Sequence, residues 1–175
     1  MDIATLLGVF GVLTNTLWPL TKHRKFLLMG QVLAGAFMSA HFMLLGASTG
    51  ALVMLVAAIQ ALLAIPLESH PKFKLVYLLS LLLTPLVCWY SWQGIPSVFS
   101  SLALLFFCIG NLQVNMKRLR VFLILCLFGW LGHNFLVSSY PALVSNALAL
   151  LTSAYGLVRE NMPNKWPPTV IKNVT

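Results

Sequence analysis

The 175-residue chain has only three carboxylates, Asp2, Glu68 and Glu160. Charged residues make up 8% of it and hydrophobic residues 59%, whereas a soluble domain carries about a quarter charged residues. Such a chain cannot clothe itself in polar surface in water, so an integral membrane protein with little outside the bilayer is expected. Cysteine is scarce. Cys88, Cys108 and Cys126 all fall inside apolar runs, with no CxxC and no Cys/His cluster. That leaves no metal-ligand spacing and no cofactor to infer, and the thiols read as packing residues. A Ser/His/Asp set, an HExxH helix and a glycine-rich phosphate loop are missing too, so no enzyme is expected. None of the carboxylates lies within an apolar run, which argues against ion coupling through an intramembrane Asp or Glu.

What the chain does have is seven apolar segments: Ile3–Leu20, Phe26–Leu45, Ser48–Ile65, Phe73–Trp92, Ile95–Gln113, Val121–Val137 and Pro141–Val158. A bilayer core needs about 20 helical residues, and isolated strands would leave their backbone groups unpaired in lipid, so all seven are expected as helices. The first is expected to be retained, because its basic residues follow the apolar run and no small-residue cleavage site stands out. The tail 161–175, with three prolines, reads as a polar and weakly ordered end.

The net charge of +8 would suggest nucleic acid in a soluble protein. Here its distribution points to topology instead. Lys22, Arg24 and Lys25 follow the first segment, Lys72 and Lys74 the third, Lys117, Arg118 and Arg120 the fifth, and Arg159, Lys165 and Lys172 the seventh. The other connections carry no Lys or Arg. By the positive-inside rule the N-terminus is outside and the C-terminus cytoplasmic, with anionic lipid headgroups as an additional partner of the basic loops.

Phe73–Trp92 stands at the middle, with three segments on either side. The flanking triples echo each other. Asn15–Phe26 (NTLWPLTKHRKF) lies over Asn111–Phe122 (NLQVNMKRLRVF) at an offset of 96, pairing Asn15 with Asn111 and Arg24 with Arg120. Farther on, Ala51-Leu52-Val53 matches Ala142-Leu143-Val144 at an offset of 91. The expected fold is all-α: two parallel three-helix repeats joined by a linker helix. Residues 1–66 form the first repeat, 67–94 the linker and its loops, 95–160 the second repeat and 161–175 a cytoplasmic tail. Both triples enter the membrane in the same sense, with the pseudo-axis along the membrane normal.

That layout resembles the SWEET facilitators of the PQ-loop superfamily, which join two three-helix bundles through a fourth helix. The resemblance implies alternating access between the triples. Trp18-Pro19 ends the first helix without the family's Gln, and Leu112-Gln113 ends the fifth without its Pro. Asn146 matches a substrate-facing Asn in the family's seventh helix, whereas the third helix has Leu55 in the comparable place. The runs WPLTKHRK and YPALVSNALALLTSAYGL are similar to the YgjV-type bacterial inner-membrane family, which implies a bacterial inner-membrane location and no particular activity.

Polar residues within the segments are the candidate substrate pathway. His41 and His133 lie toward the outer ends of helices two and six, with Asn134 adjacent and Asn146 at similar depth in helix seven. Together they suit an outward-facing polar pocket, and equally they suit interhelical hydrogen bonds. Asn15 and Asn111 sit toward the cytoplasmic side, where they suit a constriction or a helix cap. Gln31 and Gln60 read as packing amides. Gly8, Gly11, Gly129 and Gly132 read as small faces for close helix approach, and Trp18, Trp89, Trp92 and Trp166 as interfacial anchors. The expected function is a carrier or facilitator of a small neutral or amphipathic solute. The alternative is a non-transporting interaction or sensory protein with a closed bundle.

Overall fold

A computed structural model describes residues 2–44, 48–90, 92, 94–136, 138 and 140–161. The expected polar tail from 162 onward lies outside the described residues, as do Lys165, Trp166 and Lys172. The described chain is helical throughout: α1 (Ile3–Leu17), α2 (Arg24–Leu44), α3 (Ser48–Ala64), α4 (Lys74–Leu81), α5 (Leu83–Tyr90), α6 (Ile95–Leu112), α7 (Met116–Leu136) and α8 (Tyr140–Asn161). Five stretches are long and apolar enough to span a membrane, namely Ile3–Leu20, Arg24–Leu44, Ile95–Leu112, Met116–Leu136 and Ala142–Glu160, with a shorter apolar stretch at Ala51–Leu67.

Local chemistry sets the helix ends. Asp2 opens α1 by accepting the Thr5 N–H at 2.7 Å, and this bonding holds its carboxyl below the ordinary range. Pro19 cannot donate to the Asn15 carbonyl, so α1 tightens into a 3₁₀ turn over Trp18–Leu20. Asn115 caps α7, its side chain accepting the Arg118 N–H at 3.1 Å. Helices α2 and α7 therefore begin at Arg24 and Met116, earlier than the expected Phe26 and Val121, because Lys, Arg and Leu are good helix formers and carry the helix past the apolar run. Arg24 and Arg120 thus belong to helices and not to loops.

The middle segment is the main departure. The expected single helix Phe73–Trp92 is two, α4 and α5, interrupted at Leu82. Pro85 is the reason. It has no N–H for the Leu81 carbonyl and its ring crowds that carbonyl, so it is accommodated only in the first turn of a new helix.

Six helices form a closed ring in the order α1, α2, α3, α6, α7, α8 and back to α1, while α4 and α5 lie outside it against α3 and α6. Where α2 and α7 meet the core, Leu27 and Leu28 pack in one buried cluster with Leu119 and Leu123. Glycines permit the closest helix contacts. A Cβ on Gly8 would meet the His41 ring at 2.9 Å, and one on Gly129 would meet Ala103 at 2.9 Å. Most large side chains on the outer surface are apolar and exposed, as lipid contact requires.

The spacing is regular. Ile3–Leu20 and Ile95–Leu112 are 18 residues each and begin 92 positions apart, as do the 21-residue Arg24–Leu44 and Met116–Leu136. Helices α3 and α8 also begin 92 apart. This constant spacing replaces the expected drift from 96 to 91. It sets Asn111 opposite Pro19, one helical turn from Asn15, and Arg120 opposite Leu28.

Candidate functional site

At the end that carries the basic loops, two guanidinium groups are sunk into the protein. Arg24 is 4% exposed and Arg120 1%. A buried charge is unfavourable unless fully hydrogen-bonded, and helix C-termini supply unpaired carbonyls at the negative end of the macrodipole. Both arginines use them. Arg24, from α2, donates through Nη1 to Ala64 O at the end of α3 (2.9 Å). Through Nη2 and Nε it donates to Asn111 O (2.7 Å) and Gln113 O (3.0 Å) at the end of α6. Arg120, from α7, donates to Pro19 O and Thr21 O beyond the end of α1, and to Glu160 Oε1 near the end of α8 at 3.5 Å. Arg24 thus ties the end of α3 to the end of α6, and Arg120 ties the end of α1 to the end of α8. Arg159 adds a third crossing, Nη2 donating to Leu20 O at 2.6 Å.

Of the carboxylates, Glu160 pairs with Arg120 at 3.5 Å, while Glu68, 92 positions earlier, is exposed. Among the described residues Glu68 does not close to ion-pair distance. Gly156 makes the Arg120 crossing feasible: any Cβ there would overlap the guanidinium and come within 2.8 Å of the Pro19 carbonyl oxygen.

The opposite end is bonded differently. His41 Nδ1 meets Ala4 O at 2.7 Å, and His133 Nδ1 meets Pro96 O at 2.8 Å. A carbonyl only accepts, so each Nδ1 carries the hydrogen. One bond runs from α2 to the start of α1 and the other from α7 to the start of α6. The structure therefore does not join His41 to His133, and no hydrogen bond links either one to Asn134 or Asn146 among the described residues. Asn134 is buried beside His133, and Asn146 is half-buried on α8. Asn15 does bridge α1 to α8, its Nδ2 donating to Ser145 Oγ at 3.5 Å while its Oδ1 accepts from Trp18 Nε1 at 3.2 Å. Asn111 enters the arginine site through its backbone carbonyl, with its side chain wholly buried.

A second polar cluster fixes the linker. Gln60 Nε2 donates to Thr84 Oγ1 at 2.9 Å, Cys108 Sγ donates to Gln60 Oε1 at 2.8 Å, and the Tyr77 hydroxyl donates to Cys108 O at 2.8 Å. Among the described residues no group of three or more His, Cys, Asp or Glu is placed to hold a metal.

Sequence reasoning missed Arg24 and Arg120 as anything but topology signals. Two features pointed to them: each stood in the echoed segment, and Glu68 and Glu160 share one spacing. A ring of apolar helices, clasped by arginines at one end and lipid-facing outside, defines a multi-spanning helical membrane protein. A sequence profile described as a bacterial inner membrane protein, Imp-YgjV, matches residues 2–162, and the chain belongs to that family. No curated protein and no solved structure matches it.

Proposed function

We propose that the protein is an inner-membrane carrier or facilitator of a small solute, built as two parallel three-helix repeats that rock against each other, with the basic end in the cytoplasm and the N-terminus outside. The single observation that carries this reading is the asymmetry of the cross-bundle bonds. Arg24, Arg120 and Arg159 stitch one triple to the other at the basic end, whereas the histidine bonds at the opposite end stay within a triple. A bundle clasped at one end has a natural hinge, and releasing the arginines, together with the Asn15–Ser145 and Cys108–Gln60 bonds that also cross it, would open it toward the cytoplasm. The repeat reading rests on the constant 92-residue spacing and on the matched histidine and glutamate positions.

The test is thiol labelling in intact membranes. Single cysteines replace His41, His133, Asn146, Asn15 and Asn111 in a background lacking Cys88, Cys108 and Cys126, and impermeant reagents are added from each side. Labelling of the first three from outside and the last two from inside supports a two-sided route. Protection from both sides sinks the carrier reading. A second reading, a packed interaction or sensory protein, is favoured by the histidines' ties to backbone carbonyls, which give both a purely structural role.

A further inference from the structure

Just inside the arginine clasp, several buried polar atoms have no protein partner: Gln31 Nε2 and Oε1, Asn111 Nδ2 and Oδ1, Ser153 Oγ and Arg120 Nε. Gln31 is 5% exposed, Asn111 0% and Ser153 2%. Their places converge on one level of the bundle. Gln31 follows Arg24 by seven residues, two turns along the same buried face of α2. Asn111 sits in the last turn of α6, where Arg24 grips its carbonyl, and helical Cβ atoms tilt toward the helix N-terminus, here away from the clasp and into the membrane. Ser153 lies one turn before Gly156, the residue against which Arg120 packs. Three helices, α2, α6 and α8, thus each present an unpaired polar side chain on the bilayer side of the same closure.

Two amides, a hydroxyl and one guanidinium N–H offer both donors and acceptors. Every other guanidinium nitrogen of Arg24 and Arg120 already donates to a carbonyl or to Glu160, so the region favours an uncharged partner. Packing alone does not account for polar atoms left unpaired in a core lined by Leu27, Leu28, Leu119 and Leu123. We propose that Gln31, Asn111 and Ser153 form the solute-contact site, and that it takes a small neutral molecule with adjacent hydrogen-bond donors and acceptors, of hydroxyl or amide type. This rests on the carrier reading above.

The experiment compares wild type, Gln31→Met and Asn111→Leu in proteoliposomes. Stopped-flow light scattering follows the entry of erythritol, the hydroxyl probe, and malonamide, the amide probe, and thermal unfolding is measured in parallel. A contact site is kept at the expense of stability, so both variants should melt at or above the wild-type temperature while flux of the accepted probe falls at least tenfold. Whichever probe wild type moves identifies the solute type. Undiminished flux in both variants overturns the site and leaves the carrier intact. A lower melting temperature in either variant also overturns it, because the amides are then structural. If wild type moves neither probe the site is overturned as well, and two-sided thiol labelling at His41 and Asn15 then decides separately whether the carrier reading survives.

Discussion

Arg24 and Arg120 each hold the other's half of the bundle. The first reaches from α2 to cap the end of α6 and the second from α7 to cap the end of α1. Arginine suits this position better than lysine. Its planar fork reaches several carbonyls at once and stays charged when desolvated, whereas an ammonium is a compact point donor. Arg24→Lys should therefore behave as a loss and not as a conservative change. Arg24→Gln should destabilise the protein by about 4 kcal/mol or more, since each charge-assisted bond is worth about 1.5–3 kcal/mol and three carbonyls lose their donor. Thermal unfolding in detergent checks this. Arg24→Lys melting like wild type would remove the fork argument.

The two glutamates should differ. Glu160 is 23% exposed and ion-paired with Arg120, so Glu160→Gln should cost about 1 kcal/mol, less in high salt. Glu68 is exposed and makes no such pair among the described residues, so Glu68→Gln should change stability by less than about 0.5 kcal/mol. A salt series of melting curves for both variants separates them, and equal effects would mean that Glu68 closes on Arg24 in the membrane.

Much of this fold was legible in the sequence. Apolar run length gave five of the seven expected spans, and the alternation of Lys and Arg gave one basic end. The broken linker was legible too, since Pro85 stands mid-segment, but an apolar run of bilayer length outweighed one proline. The arginine site was not. Arg24 and its partners Asn111 and Gln113 are nearly ninety residues apart in the chain, and a basic residue at a helix start looks the same whether it faces water or turns inward. The helix boundaries suggest a different register for the echo. Asn15 over Asn111 and Arg24 over Arg120 are attractive identities, yet α1 is closed by a proline-led 3₁₀ turn that α6 lacks, and matching by helix boundaries moves the pairing by one turn.

The histidines offer a test of packing that does not depend on transport. Gly8→Ala places a methyl at 2.9 Å from the His41 ring, which can move only by giving up its bond to Ala4 O. Overpacking of this sort costs about 1–3 kcal/mol. In a His41→Ala background the same methyl has room, so its cost should fall below about 0.5 kcal/mol. A double-mutant cycle read by thermal unfolding checks this coupling, and additive effects would show that the ring and Gly8 do not share space.

Gly156 carries a sharper version of the argument. Its missing side chain lets α8 approach both the Arg120 guanidinium and the Pro19 carbonyl, so a methyl there strikes a polar clasp and not a yielding apolar neighbour. Gly→Ala within an exposed helix ordinarily stabilises it by about 1 kcal/mol through helix propensity. At Gly156 the sign should reverse. Gly156→Ala should lose roughly 2 kcal/mol or more, because Arg120 must release Pro19 O or Thr21 O to make room. It should also raise the labelling of a cysteine at Asn15 from the basic side, since the clasp that covers that end is loosened. A variant that is destabilised but no more accessible would keep Arg120 as a structural cap and remove it as a gate. A variant more stable than wild type would mean that α8 does not pack this closely against the end of α1.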